Sequence, residues 1–263
     1  MLQPMFLQEI DDDGIAWLTL TRPEVHNAFN DTLIAELSAV LTGLGTDTRV
    51  RVVVLSAQGR SFSAGADLNW MQRTAKYSKE ENLKDARALA GLMRALNALP
   101  KPTIVLVQGP AFGGGVGLVA CCDIAIAAET AKFSLSEVKL GLIPSVISPY
   151  VIAAIGQRAA RRYILTGEVF TAEEALHLGL VHQVVPDEAL RDVGKRMIKA
   201  LLAGGPNAQV VAKDLIFDVS GRPLDDKLVE LTAGRIARLR ATDEAQEGIA
   251  AFLEKRKPRW VKN

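Results

Sequence analysis

The sequence has few of the residues that most often carry metal or nucleophilic chemistry. Its 263 residues include only three histidines and two cysteines, and the cysteines, Cys121 and Cys122, are adjacent. Neighbouring cysteines cannot close a useful disulfide loop, so we expect a reducing compartment and two small core residues. No histidine has a ligand-like spacing to the cysteine pair or to a carboxylate cluster, so the sequence predicts no metal site.

An excess of one charge and long apolar runs are also missing. The chain has 31 basic and 30 acidic residues, which gives no basic field for nucleic acid or for an anionic membrane surface. The N-terminal segment has neither region of a secretory signal, and Gly, Pro or charge interrupts every apolar run before the roughly 20 residues that cross a bilayer. We therefore expect a cytoplasmic protein without nucleic-acid or membrane partners.

Hydrophobic patterning predicts strands that alternate with helices. Predicted strands cover residues 6–10 and 15–20, which form a hairpin, and then 50–55, 103–108, 123–128 and 181–185. Predicted helices follow the N-caps Asn30 and Ser78, begin near Gly115, and follow a capping box of Thr171 and Glu174. Because repeated strand–helix–strand crossovers require parallel strands, the pattern indicates an α/β fold.

A change of pattern near residue 200 predicts a domain boundary. From Asp187 onward the spacing is helical, with breaks at residues 204–206 and 221–223. We expect an α/β core over 1–200 and a helical region over 201–263, which has too few apolar positions to form a core alone. The basic segment 255–259 is either a solvated helix end or a contact for an anionic ligand.

Two glycine-rich loops follow predicted strands. Residues 61–68 read SFSAGADL and residues 109–117 read GPAFGGGVG, with five glycines in nine positions. Free backbone N–H groups at such turns can bind an oxyanion, although the first loop alone is more typical of an ordinary βα connection. Residues 115–120 also fit a dinucleotide-binding fingerprint, but Gly115 lies seven positions after the strand end at Gln108, which disfavours a nicotinamide-dependent oxidoreductase.

One carboxylate, Glu137, lies in the apolar context FSLSEVKLGLIP. Burial in such surroundings would raise the pKa of Glu137, as a group that transfers protons near neutral pH requires. The alternative is a surface glutamate paired with Lys139.

Taken in order, AGADL, GGG and SEVKLGLIP resemble the crotonase family, also called the enoyl-CoA hydratase/isomerase superfamily. The resemblance extends over LTRPEVHNAFN near the start, LTGEVFTAEEALHLGLVHQVV in the middle and EGIAAFLEKRKPRW at the end. It implies an α/β spiral of ββα units with a C-terminal helical region, over 201–263, that builds homotrimers or dimers of trimers. It also implies no bound cofactor, because CoA is carried by the thioester substrate.

The resemblance assigns roles to residues of all three segments. Ala66 and Gly114 match the family residues whose N–H groups bind the thioester oxygen, and Glu137 matches the acid/base glutamate. The expected CoA-binding path is Ala64, Gly65, Ala66, Asp67 and Leu68. Hydratases of the family carry a second glutamate in a GGGCE-like sequence, but here that position is Gly117, in GGGVG.

Three longer segments, FSAGADLNWM, GPAFGGGVGLVACCDIAIA and SEVKLGLIPSVISPYVIAAIG, resemble most closely the bacterial 3-methylglutaconyl-CoA hydratases of leucine degradation. Such a substrate has a distal carboxylate, for which Asn69, Arg73, Lys76 and Lys84 are the candidate partners. The sequence thus predicts a lyase that adds water to a branched enoyl-CoA. The alternatives are an enoyl-CoA isomerase with a single glutamate, an acyl-CoA hydrolase or decarboxylase, and a non-catalytic acyl-CoA-binding or RNA-associated protein.

Overall fold

The computed structural model describes residues 4–262 and has a mixed α/β fold. The strands are β1 (Phe6–Ile10), β2 (Ile15–Leu20), β3 (Val52–Ala57), β4 (Thr103–Val107), β5 (Ala111–Phe112), β6 (Ile124–Ala128), β7 (Lys132–Ser134), β8 (Val169–Thr171) and β9 (Gln183–Val185). The helices are α1 (Asp31–Thr46), α2 (Leu68–Thr74), α3 (Lys79–Asn97), α4 (Gly114–Cys121), α5 (Ser148–Thr166), α6 (Ala172–Leu178), α7 (Leu190–Ala203), α8 (Pro206–Val219), α9 (Asp226–Arg240) and α10 (Asp243–Leu253). Short 3₁₀ helices cover Pro23–Val25, Ser136–Leu140 and Asp187–Ala189.

The larger sheet has the strand order β1-β2-β3-β4-β6-β9. The hairpin β1–β2 is antiparallel and every later pair in this sheet is parallel, which confirms the predicted α/β arrangement. Strand β3 begins two residues later than predicted, because Val50 N–H donates to Asp47 and Arg51 N–H donates to Gly14 in the preceding turns. Strand β4 is completely buried, as its β-branched and apolar sequence requires.

A second sheet, of order β5-β7-β8, was not predicted from the sequence. Its strands have two or three residues each, too few to show a hydrophobic period. Strand β5 ends directly before Gly113, and β7 ends shortly before Glu137. Gly113 N–H donates to the Ser134 carbonyl oxygen over 2.9 Å. The small sheet therefore brings the second glycine loop and the candidate acid side by side.

The predicted helix caps are present, with one difference. The Asn30 side chain accepts from Leu33 N–H at the start of α1, and Ser78 forms a full capping box at α3. At α6, the Thr171 side chain accepts from Glu174 N–H, but within this described segment the Glu174 side chain does not accept from Thr171 N–H. The Glu174 carboxylate instead accepts from the Tyr163 hydroxyl over 2.8 Å. The hydroxyl of the buried Tyr163 thus binds the carboxylate that the sequence pattern predicts to complete the capping box.

The chain divides into two compact units. The first comprises residues 4–99 and 103–195 among those described, and the second comprises residues 100–102 and 196–262. The sequence boundary expected near residue 200 lies within α7, as does this division. In the second unit, Arg256 and Arg259 both form ion pairs with Glu247, at 2.7 and 3.1 Å. No helix within residues 4–262 is long and apolar enough to cross a membrane.

Candidate active site

The first loop pairs with Phe29 in a way that leaves the Ala66 amide pointing outward. Phe29 N–H donates to the Gly65 carbonyl oxygen over 2.6 Å, and Asp67 N–H donates to the Phe29 carbonyl oxygen over 2.7 Å. In a parallel bridge of this kind, the residue between the two bonds turns its own N–H to the opposite side. Ala64, Ala66 and Leu68 are accordingly exposed, whereas Gly65 and Asp67 are buried.

Asp67 fixes the end of this loop. Its side chain caps α2 by accepting from Asn69 and Trp70 N–H, and it forms a 2.9 Å ion pair with Arg22. Burial alone would raise the pKa of Asp67, but the Arg22 guanidinium and the cap N–H groups bring the pKa below its ordinary value. Within the predicted CoA-binding segment, the Asp67 carboxylate therefore binds Arg22 and the start of α2. Its neighbours Ala66 and Leu68 are exposed.

The second loop ends in a helix whose first amide is free. Gly113, at φ +49° and ψ −118°, is the N-cap of α4, and Gly114 is the first helical residue. The N–H at such a position has no partner within its own helix. Over residues 4–262, neither Ala66 N–H nor Gly114 N–H donates a hydrogen bond. Two unpaired backbone donors thus lie on the two glycine-containing loops.

Close backbone contacts hold the two loops together. A Cβ added at Gly65 would lie 3.0 Å from the Phe112 carbonyl oxygen and 3.8 Å from the Gly113 Cα. Gly65 also has φ +87°, which side chains rarely adopt, so this position requires glycine for two reasons. A bridge between Ser63 and Ala111 continues the contact. The residues that precede Ala66 and Gly114 are therefore neighbours in space.

Glu137 lies beside the second loop. The 3₁₀ helix Ser136–Leu140 places its Oε1 2.9 Å from the position that a Cβ on Gly113 would occupy. Its Oε2 is buried and has no hydrogen-bond partner within the described chain. Burial raises the pKa of Glu137, and its own backbone N–H offsets this only in part. Lys139, the alternative partner considered from the sequence, instead lies against Gly167, with Cε 3.1 Å from a Cβ built there.

The structure explains the missing second glutamate at Gly117. A Cβ on Gly117 would lie 2.3 Å from the Ile147 Cγ2 and 2.9 Å from the Ile147 Cβ, far inside van der Waals contact. Ile147 is only 3% exposed, so it has little room to move. Gly113, the N-cap of α4, accepts from Gly117 N–H over 3.2 Å, so the two glycines are neighbours across the first turn of the helix. Glu137 covers the first glycine and Ile147 covers the second.

This arrangement can stabilise negative charge on a carbonyl oxygen and move a proton next to it. Two unpaired amides supply the electrostatic stabilisation, and losing one such donor typically costs about 2.7–4 kcal/mol in a transition state. A carboxyl group with a raised pKa and a free buried oxygen is suited to accept and return a proton. The site thus gathers Ala66, Gly114 and Glu137, which the sequence resemblance singled out.

Some residues of the site were not found from the sequence. Asn27 and Ser63 are buried and hydrogen-bonded around the first loop, and Ile147 packs against Gly117 on α4. The segment RPEVHNAFN was noted only as part of the resemblance. Its two consecutive residues with positive φ, His26 and Asn27, show that it is a tightly specified turn.

Comparisons with known proteins agree with this geometry. The family model described as enoyl-CoA hydratase/isomerase matches residues 11–263. A crystal structure of an enoyl-CoA hydratase from Shewanella pealeana has a TM-score of 0.95 at 47% identity, covering 98% of this chain and 96% of that one. The 2,3-dehydroadipyl-CoA hydratase of Escherichia coli is 35% identical over 92% of each chain. The 1,2-epoxyphenylacetyl-CoA isomerase of Escherichia coli is also 35% identical, over 95% of this chain and 96% of its own. The chain therefore belongs to the enoyl-CoA hydratase/isomerase family, the crotonase superfamily.

Proposed function

We propose that this protein adds water to the double bond of a branched 2-enoyl-CoA, with 3-methylglutaconyl-CoA in leucine degradation as the first substrate to test. The observation that carries the proposal is the single carboxyl group of Glu137, whose buried Oε2 has no partner within the described chain and which lies beside the loops of two free amide donors. These groups supply what hydration of a conjugated thioester needs, namely a base for water, a proton for carbon, and donors for the thioester oxygen.

In the proposed reaction, Ala66 and Gly114 N–H donate to the thioester oxygen. The Glu137 carboxylate accepts a proton from water as the water oxygen bonds to C3, and the C2–C3 electron pair moves toward the thioester oxygen. The resulting enolate then takes a proton at C2 from the Glu137 carboxyl, which returns to its starting state. Water is thereby added across the double bond with no net change in the protein.

The distal carboxylate of the proposed substrate requires a cationic or hydrogen-bonding partner. Asn69 and Arg73 lie on α2, and Lys76 follows that helix, while Lys84 lies on α3. Arg73 forms a 2.8 Å ion pair with Asp31, but both side chains are about half exposed, so a substrate carboxylate could compete for the guanidinium. The relative named for 2,3-dehydroadipyl-CoA, whose acyl group also ends in a carboxylate, supports this choice of substrate class.

Isomerisation of a 3-enoyl-CoA is the second candidate. A single carboxyl can remove a proton from one carbon and return it to another, and one relative at 35% identity is named as a CoA-ester isomerase. Both candidates develop negative charge on the thioester oxygen and use the same two donors for it. They differ in whether water enters the product.

The family resemblance also leads us to propose a homotrimer or a dimer of trimers. The helical second unit supports self-association, because Leu224, Phe252 and Leu253 are 87%, 82% and 73% exposed. Burial of large apolar side chains such as these against another copy would remove them from water. Light scattering after size-exclusion chromatography tests this proposal, and a monomer at micromolar concentration would contradict it.

The function is tested by giving purified protein 3-methylglutaconyl-CoA, crotonyl-CoA and a 3-enoyl-CoA in parallel. We expect the highest kcat/KM for hydration of the first. Glu137→Gln should lower kcat by about 10²–10⁴-fold, whereas Glu129→Gln, which changes an exposed carboxylate, should not. If only the 3-enoyl-CoA is turned over, the isomerase proposal replaces the hydratase proposal. Full hydratase activity in Glu137→Gln would refute the mechanism.

A further inference from the structure

Ser63 connects the two loops that carry the free amides. Its N–H donates to the Pro110 carbonyl oxygen over 3.1 Å, and its carbonyl oxygen accepts from Phe112 N–H over 2.8 Å. Its hydroxyl donates to the Asn27 carbonyl oxygen over 2.9 Å and accepts from Gly65 N–H over 3.3 Å. The backbone of Ser63 thus binds the second loop, while its side chain binds the first.

The surroundings of Ser63 leave it little freedom. Ser63 is 0% exposed. A Cβ added at Gly115 would lie 2.8 Å from the Ser63 carbonyl oxygen and 3.0 Å from the Ser63 Cβ. Ser63 therefore packs directly on the first turn of α4.

Its acceptor is fixed as well. The Asn27 side chain donates to the Ser61 and Gln58 carbonyl oxygens, each over 2.8 Å, and accepts from Arg22 N–H, also over 2.8 Å. Asn27, whose carbonyl oxygen accepts from the Ser63 hydroxyl, is thus held by three side-chain bonds, and a buried hydroxyl with two partners is a strong geometric constraint.

We propose that Ser63 is a positioning residue that keeps the Ala66 and Gly114 amides aimed at one oxygen atom. The inference rests on the proposed function, in which both amides donate to the thioester oxygen. Without the hydroxyl, Gly65 N–H and the Asn27 carbonyl oxygen lose a buried partner, and the Ala64–Gly65 peptide, which adjoins the peptide of the Ala66 amide, is held less firmly. Negative charge develops on the oxygen only in the enolate, so misaligned donors weaken enolate binding more than binding of the unreacted thioester.

The test is Ser63→Ala, measured on catalysis and on two CoA ligands. Butyryl-CoA has a neutral thioester oxygen, whereas acetoacetyl-CoA can bind as an enolate with negative charge on that oxygen, and the enolate can be followed by its ultraviolet absorbance. We expect kcat and enolate affinity to fall about tenfold, with KM and butyryl-CoA affinity nearly unchanged. Ser63→Cys, which keeps a weak donor and acceptor, should give intermediate values.

Thr103→Val is the matched control. Thr103 is 1% exposed, and its hydroxyl likewise makes two bonds, donating to Asp123 Oδ2 and accepting from Asp123 N–H, but at the opposite end of β4 from the loops. This variant should lower the melting temperature without changing the ratio of enolate to butyryl-CoA affinity. The same result for Ser63→Ala would overturn the proposal.

The outcome separates this proposal from the proposed function. If the unmodified protein hydrates no enoyl-CoA but the affinity ratio falls in Ser63→Ala, the positioning role stands and the hydratase assignment fails. If the unmodified protein binds the enolate no better than butyryl-CoA, the donor assignment is wrong and the positioning role fails with it.

Discussion

Adding a single methyl group at Gly117 tests whether Ile147 closes the place of a second acid. The new Cβ would lie 2.3 Å from Cγ2 and 2.9 Å from Cβ of Ile147. Rotation of the isoleucine side chain moves Cγ2 but not Cβ, so the backbone must also shift. Overpacking of this severity costs about 3 kcal/mol, and replacing glycine by alanine inside a helix returns about 1 kcal/mol. We therefore expect Gly117→Ala to lower the free energy of unfolding by about 2 kcal/mol.

Thermal and denaturant unfolding measure this loss, which corresponds to a fall of about 4–8 °C in melting temperature for a unit of this size. Gly91→Ala is the control, because Gly91 lies within α3 and a Cβ there meets nothing within 4 Å. That variant should be stabilised by about 1 kcal/mol.

Ile147→Ala alone leaves a cavity and should lose about 2–5 kcal/mol. The double variant Gly117→Ala/Ile147→Ala should lose about 2 kcal/mol less than the sum, since the 2.3 Å overlap with Cγ2 is gone and only the 2.9 Å contact with Cβ remains. Strictly additive losses would refute the reasoning.

The same pair decides whether a second carboxylate can be installed. Gly117→Glu should not fold stably beside Ile147, whereas Gly117→Glu/Ile147→Ala should fold and hydrate crotonyl-CoA faster than Gly117→Gln/Ile147→Ala does. The glutamine variant has the same shape without the acid, so the comparison isolates the carboxylate. Equal rates in the two double variants would show that an acid at this position is not placed to act.

Further predictions concern the loops and the acid. Gly113→Ala should reduce kcat at least about tenfold, because φ +49° disfavours a side chain and its Cβ would lie 2.9 Å from Glu137 Oε1; normal kcat would contradict that contact. Glu137→Gln should stabilise the fold increasingly as pH rises above the ordinary glutamate pKa and have no effect below it, since burial raises the pKa of Glu137 and ionisation of the buried carboxyl weakens folding; melting curves from pH 4 to 9 should show this sign. Arg22→Met leaves the buried Asp67 carboxylate unpaired and should cost about 3 kcal/mol in denaturant unfolding; a loss below about 0.5 kcal/mol would show that Asp67 needs no cation.

Local sequence signals predicted the larger sheet and the helices that flank it. Asn30 and Ser78 identify their helices because a cap depends on side chains within three residues of the helix start. Strands such as β4 are recognisable because an unbroken β-branched run must be buried. The strand β5 has no such signal, because two residues cannot display a period and its partner β7 lies twenty residues further along the chain.

The candidate site could be predicted only in part, for a related reason. Glu137 stands out locally, as one carboxylate among apolar residues, and burial does raise its pKa. The neighbours that define its role come from distant segments. Gly117 and Ile147 are thirty positions apart, and Ser63 meets Asn27 across thirty-six. Nothing in either local sequence indicates that a glycine on α4 exists to make room for an isoleucine, because that requirement arises only when the segments pack together.

The scarcity of histidine, cysteine and metal ligands now has a structural counterpart. Both proposed oxyanion donors, at Ala66 and Gly114, are backbone amides, and the proposed proton transfer depends on one half-buried carboxyl group, that of Glu137. Substitution by any residue except proline leaves a backbone N–H in place, so the strength of such a donor depends on where the chain places it. Substitutions that impair such a site should therefore concentrate at glycines and at buried positioning residues such as Ser63. Charged groups on the exposed face should instead affect which acyl-CoA binds, since they lie outside the network that aims the amides.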